Sequence, residues 1–301
     1  ITFDVESATN QSPVQVTIVF SEEVSDFVSP DVDIGNGWFV SGFNDLNNPT
    51  FILDIEAGGQ GPVTVQVPDG VATAVATGRD NEPSAQVQFT YDIDIPDAPT
   101  IVDLTSGVYN FDQTFTVNGE DGATIEYSVD GGTGWTDYGE EVTLSTTTTD
   151  TYDVTARQTD AAGNTSDPAA VIQVTIDKEP PAEPTIDGIT AGTYTSTQTF
   201  TVTGETGATI RYSINDGGDW VPYTGQVTLN GDGTYDITAI QTDPAGNSSS
   251  PAATITVNIE IPPVAPDDLL ANPQNGGRID LSWSDNSNDE LAFEVKRTKG
   301  L

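Results

Sequence analysis

The sequence predicts an all-β fold built from tandem β-sandwiches, and three observations carry that prediction. Short runs alternate apolar with polar residues and are rich in Val, Thr, Ile and Phe. No segment sustains a 3.6-residue apolar period with caps, so almost no helix is expected. One long block occurs twice between proline-rich stretches, which marks an array of like domains.

The elements follow in chain order. Over residues 1–95 the runs QVTIVF (15–20), FILDIEA (51–57), VTVQV (63–67) and VQFTYDI (87–93) read as strands bounded by Gly, Pro, Asn and Asp turns. Ile95-Pro96-Asp97-Ala98-Pro99 then separates this domain from the first repeat copy, residues 96–178. The second copy, 179–261, follows Glu179-Pro180-Pro181-Ala182-Glu183-Pro184. QTFTVNGEDGATIEYSVDGG (113–132) matches QTFTVTGETGATIRYSINDG (198–217), and TYDVTARQTDAAGN (151–164) matches TYDITAIQTDPAGN (234–247). After Ile261-Pro262-Pro263 a last piece, 262–301, supplies three strands of an incomplete sandwich, which would leave Leu281, Trp283 and Phe293 poorly covered. Short Pro-rich linkers are semi-rigid and extended, so the domains are expected end to end.

Charge narrows the function. The 301 residues carry 47 acidic and 8 basic side chains, a formal net charge of −39. Half of the basic residues (Arg278, Lys296, Arg297, Lys299) lie near the end. Such a surface repels nucleic acid and anionic lipid and attracts cations. Bound divalent metal or high salt would relieve its self-repulsion. Cysteine and histidine are absent, which removes disulfides, the Cys nucleophile and the commonest general base. No stretch is apolar and long enough to enter a bilayer as a spanning helix. P-loop and G-x-S-x-G patterns are absent too, and carboxylate pairs are too abundant to signal catalysis, so no enzyme is expected.

On these residues the two copies resemble bacterial immunoglobulin-like repeats of large surface adhesins. The resemblance is carried by TYDVTARQTD (151–160) and TYDITAIQTD (234–243), the AGN that follows, and closing strands ending at Asp177 and Glu260. GATIRYSI followed by Trp220 also resembles the small β-sandwich attached to some secreted glycoside hydrolases of chitobiase type. The first domain resembles another bacterial Ig-like type through VTIVFSEEVSDF (16–27), DVDIGNG (31–37) and VTVQVPDG (63–70), with GRDNEPS (78–84) where that type has an aspartate-loop-Gly-Asn motif. IDLSWSDNS (279–287) and FEVKR (293–297) resemble the opening half of a fibronectin type III domain. These resemblances imply tandem immunoglobulin-like β-sandwiches arranged end to end, with an incomplete fibronectin type III sandwich at the C-terminus.

Two candidate sites follow. The D-x-x-G-N loops, Asp160 to Asn164 and Asp243 to Asn247, lie between long strands. One reading is a structural turn closed by Asp, Asn and Gly. The other is Ca²⁺ ligation, since that ion takes six to eight hard oxygens. In an Ig-like topology this loop faces the incoming linker, so Asp94, Asp97, Glu120 and Asp121 would gather near Asp160. By the same logic Asp177, Glu179 and Glu205 would gather near Asp243. One ion at each gathering would tie two domains together. The second candidate is aromatic: Trp135 and Tyr138 recur as Trp220 and Tyr223, either covering the sandwich edge or stacking on sugar rings.

The expected function is a non-catalytic repeat segment of a secreted or cell-surface bacterial adhesin or stalk, stiffened by calcium at its joints. The expected form is a monomeric rod within a longer chain. The ligand would be an unidentified host or surface polysaccharide or protein. The alternative is an accessory carbohydrate-binding array on a secreted glycoside hydrolase.

Overall fold

The computed structural model describes residues 1–288 and 291–296, and for residues 44–47 the backbone alone. The chain divides into two compact units, Ile1–Asp177 and Lys178–Leu301. Among the described residues the only helical element is one 3-10 turn, Ser29–Asp31.

The first unit opens with a sandwich of two four-stranded sheets. One sheet runs Thr2–Phe3, Val14–Val19, Thr50–Ala57, Gly37–Asn47, all antiparallel. The other runs Ala8–Thr9, Val87–Tyr91, Gly61–Gln66, Asp33–Gly35, with the short first strand parallel to its neighbour. Period two decides the inner face: Phe51, Leu53 and Ile55 are buried while Thr50, Ile52, Asp54 and Glu56 point outward. Val14, Val16, Ile18, Val63, Val65 and Phe89 complete this core from both sheets.

The rest of the first unit is repeat copy one. A three-stranded sheet (Thr100–Val102, Gln113–Asn118, Val142–Leu144) packs on a five-stranded one. The larger sheet is ordered Gly107–Tyr109, Ile172–Asp177, Thr149–Thr159, Thr124–Ser128, Thr136–Asp137. Gly107–Tyr109 runs parallel to Ile172–Asp177, so the chain starts in one sheet and crosses to the edge of the other, as in immunoglobulin-type sandwiches. Phe115, Val117, Leu144, Val154, Ala156, Val174 and Ile176 fill the core.

The second unit repeats this arrangement. Its three-stranded sheet is Thr185–Asp187, Gln198–Thr203, Val227–Leu229. Its five-stranded sheet is Gly192–Tyr194, Ile255–Ile259, Gly233–Thr242, Thr209–Ser213, Val221–Pro222. The core is Phe200, Val202, Leu229, Ile237, Ala239, Val257 and Ile259, a position-by-position counterpart of copy one. In both copies a tyrosine hydroxyl closes the corner before the long strand. Tyr152 Oη donates to the Ser145 carbonyl at 2.8 Å, and Tyr235 Oη to that of Asn230 at 2.7 Å.

The C-terminal piece forms two strands, Asp267–Pro273 and Ile279–Ser284. The third expected strand is not formed over residues 293–296, where no ladder exists, and Arg297 lies outside the described residues. Two strands have no opposing sheet to pack on, so Leu269, Leu270 and Ile279 stay exposed. Trp283 and Phe293 meet edge to face, with ring centroids 5.3 Å apart.

Candidate functional site

Strand Thr149–Thr159 alternates inward at Val154, Ala156 and Gln158. A glutamine thus takes the last inward position before the D-x-x-G-N loop. It is 2 % exposed and uses both ends of its amide. Oε1 accepts from the Glu120 backbone N–H at 2.8 Å, and Nε2 donates to the Asp97 carbonyl in the linker at 2.7 Å. Gly119 makes room for it, because a Cβ there would collide with Gln158 Oε1 and with Ile125 Cδ1 at 2.8 Å. The second copy builds the same clamp. Gln241 is 2 % exposed, accepts from Glu205 N at 2.7 Å and donates to the Ala182 carbonyl at 2.6 Å, beside Gly204.

The loop itself is closed by its aspartate. Asp160 Oδ1 accepts from the N–H groups of Ala162 (2.9 Å) and Asn164 (2.8 Å), and Oδ2 accepts from Asn164 Nδ2 (2.9 Å). Gly163 sits at φ +95°, where a side chain would strain the turn. Burial raises the Asp160 carboxyl, but the bonds from the Asn164 side chain and from the backbone of Asn164, Ala162 and Gly163 outweigh it. The carboxyl is held below its ordinary value of 3.8. In the second copy Asp243 Oδ1 accepts from Gly246 N (2.7 Å) and Asn247 N (2.8 Å), and Oδ2 from Asn247 Nδ2 (2.9 Å).

Within the first unit this loop docks on the preceding sandwich. Asn10 N donates to the Ala162 carbonyl at 3.0 Å. Asn10 Nδ2 donates to Asn164 Oδ1 at 3.1 Å, and Asn164 Nδ2 donates to the Asp92 carbonyl at 3.0 Å. Asn164 is 8 % exposed. The joint between the two sandwiches is therefore an amide latch of two asparagine side chains and backbone groups: Asn10 donates twice, Asn164 both accepts and donates, and the Ala162 and Asp92 carbonyls accept. Gln158 fixes the linker beside it.

The acidic residues expected here take other places. Asp94 and Asp92 both accept from Gln60 Nε2, the latter at 3.1 Å. Asp97 contributes its carbonyl and Glu120 its N–H, while their side chains and that of Asp121 are exposed. Asp177 accepts from Thr149 Oγ1 at 2.7 Å. In the second unit Glu179 and Glu205 have exposed side chains and Asp243 is buried in its own loop. Among the described residues no three acidic side chains gather closely enough to hold a metal ion. The Asp160 carboxylate faces N–H donors, so the donor set of this loop is a hydrogen-bond network and does not fit an oxygen cage for Ca²⁺.

The aromatic residues lie at the sandwich edge in both copies. Trp135 lies along the Gly-rich turn, its Cζ2 3.3 Å from where a Cβ on Gly132 would stand. The Arg157 guanidinium covers one face of its indole, 4.2 Å from the centroid, while pairing with Glu126 at 2.8 Å. Trp220 lies along Gly217 in the same way. Tyr138 and Tyr223 pack against the cores of their copies. A groove of about 390 Å³ runs beside Trp135, lined by Tyr127, Tyr152 and Leu144 among others.

Sequence reasoning missed Asn10, Asp92, Gln158 and Gln241. A signal existed for the glutamines: a polar residue on the inward phase of the alternation, at the same place in both copies. None existed for Asn10, which meets a partner 154 residues away.

No family model and no curated protein matches the chain. Among solved structures it is similar to the fibronectin(III)-like modules of Clostridium thermocellum CbhA (13 % identity, 54 % of this chain and 94 % of that one, TM-score 0.31). It is also similar to the FN1-FN3 domains of chicken CNTN1 (14 %, 86 % and 98 %, TM-score 0.33). A third is the Bacteroides ovatus SGBP-B, solved with a mixed-linkage heptasaccharide (14 %, 86 % and 67 %, TM-score 0.19). The strand order, the parallel edge strand and the three separate cores establish the fold on their own: this chain is a tandem of immunoglobulin- and fibronectin III-like β-sandwiches.

Proposed function

We propose that this chain is a non-catalytic spacer segment of a secreted or cell-surface bacterial protein of the adhesin or stalk kind, whose first two sandwiches are locked to one another. The amide latch carries this reading. A flexible string would leave Asn10, Asn164 and the Asp92 carbonyl to water, whereas here they close on one another. Amides suit the task in a chain of net charge −39, because they bridge without adding charge. Divalent cations enter as counter-ions that screen the acidic surface, a role separable from the latch.

Asn164→Asp tests the reading. It keeps the shape but sets a second carboxylate against Asp160 Oδ2. If hydrogen bonds form the joint, spin labels on the two sandwiches of Ile1–Asp177 report a broadened distance distribution, with or without calcium. If an ion forms the joint, the added carboxylate tightens it, calcium narrows the distribution, and sodium chloride of matched ionic strength does not. The second result sinks the latch and restores calcium as the stiffening agent. An unchanged distribution for both Asn164→Asp and Asn164→Ala sinks the rigid-spacer reading itself.

A further inference from the structure

We propose that the outer face of the first sandwich, centred on Trp38, is a binding platform for a neutral, hydroxyl-rich polysaccharide. This site lies away from the latch and goes beyond the spacer reading. It also differs from the Trp135 and Trp220 positions, whose indoles lie along glycine turns and are less exposed than Trp38.

The register builds the platform. Trp38 stands opposite Glu56, Ser41 opposite Asp54, and Asp54 opposite Gln15 on the next strand. These positions share the phase that points away from the core, since Phe51, Leu53 and Ile55 take the buried phase. The surface is therefore a three-strand patch with one indole, two carboxylates, an amide and a hydroxyl. Trp38 is 52 % exposed, the most exposed of the four tryptophans; Trp283 follows at 37 %. Among the described residues no ring or cation covers it, whereas Arg157 covers Trp135 and Phe293 meets Trp283. Val40, bulged out of the ladder between Phe39 and Ser41, is 45 % exposed and widens the apolar surface on the same edge strand.

The polar groups are placed rather than scattered. Ser41 Oγ donates to Asp54 Oδ2 at 3.3 Å, and the carboxylate lies over Gly42, where a Cβ would stand 2.6 Å from that oxygen. Gly42 has φ +83°, so the backbone there both turns and leaves room. The Glu56 carboxylate has no hydrogen-bond or ion-pair partner among the described residues and flanks the indole.

This inventory selects the ligand. Carboxylates only accept, so the ligand must donate; with Arg79 the only basic residue of 1–95 an anion is disfavoured, and a cationic chain, which would also donate, is the competing occupant that the salt and poly-lysine arms of the test separate. Sugar hydroxyls donate without charge, and the C–H face of a pyranose matches an open indole. A second copy of this chain would bring the same negative face and be repelled.

The test uses the full chain in affinity gels containing hydroxyethylcellulose, soluble xylan, mixed-linkage β-glucan or dextran, with polygalacturonate and poly-lysine as charged controls. Retardation by at least one neutral polysaccharide is expected, persisting at about 0.5 M sodium chloride, where charge pairing is screened. Trp38→Ala weakens it about tenfold or more, Trp38→Phe weakens it less, and Trp135→Ala and Asn164→Ala leave it unchanged. Trp38 faces outward, so Trp38→Ala keeps the melting temperature, which separates lost binding from lost fold. The proposal is overturned if no neutral polysaccharide retards the chain or if Trp38→Ala binds like the parent. Retention by poly-lysine alone, abolished by salt, overturns it as well.

Discussion

Replacing Gln158 with alanine removes a side chain that ties the linker to the sandwich interior, and the structure sets the scale of the loss. Two hydrogen bonds vanish, to Asp97 O and from Glu120 N. Each contributes about 1 kcal/mol net. The side chain is 2 % exposed, so its removal also leaves a void and unpaired groups, although Asp97 and Glu120 lie near enough to the surface for water to reach them. Together this costs about 2–4 kcal/mol. In a domain of this size each 1 kcal/mol lowers the melting temperature by about 4–8 °C. The transition of copy one should therefore fall by roughly 8–32 °C. Hydrogen exchange should rise first in Gln113–Asn118 and Thr149–Thr159, the strands that the clamp joins to the linker. Gln241→Ala should cost the second copy a similar amount, because its clamp has equivalent partners, Ala182 O and Glu205 N. Calorimetry on the two single variants and the double variant is the assay. A shift under about 3 °C, or an effect in one copy alone, would refute the claim that the repeat preserves these glutamines as linker clamps.

Three further outcomes are expected. Gly119→Ala and Gly204→Ala each force a methyl group against the clamp glutamine and an isoleucine, and should destabilise their copies by about 1–3 kcal/mol in chemical denaturation. Because the Asp160 carboxyl is held low in the folded chain, its contribution is complete above the ordinary value of 3.8 and lost as pH falls through the lowered one. The stability difference between parent and Asp160→Asn should thus be flat from neutral pH down to about 4 and shrink below it. Arg157→Ala uncovers the Trp135 indole and should red-shift the emission of that residue in a variant lacking the other tryptophans, at a stability cost of about 1 kcal/mol or less for a partly exposed pair.

Fold class was legible because strand patterning is local. Period two in FILDIEA and TYDVTARQT states which side chains face inward, and the buried rows Phe51–Leu53–Ile55 and Val154–Ala156–Gln158 obey it. The repeat was legible for the same reason, since equal patterns bury equal cores. The D-x-x-G-N loop was readable as a turn, because Asp160 and Asn164 bond across four residues.

The site was only half legible. In the first copy the loop reaches the chain around Asp92 through Asn164, whereas sequence counting favoured carboxylates as the bridging groups because they are so abundant. The folded chain spreads those charges outward, where water and screening favour them, and closes the joint with Asn10, Asn164 and Gln158. An amide can donate and accept at once and carries no charge, so it can bridge two acidic sandwiches; the Asp160 and Asp243 carboxylates only accept, and N–H groups of their own loops satisfy them. Which amide meets which carbonyl across 154 residues is decided when two finished sandwiches dock, and no local pattern encodes it. Alternation along the chain determined the sandwiches and their repetition; docking alone decided the latch, because its partners become neighbours only in three dimensions.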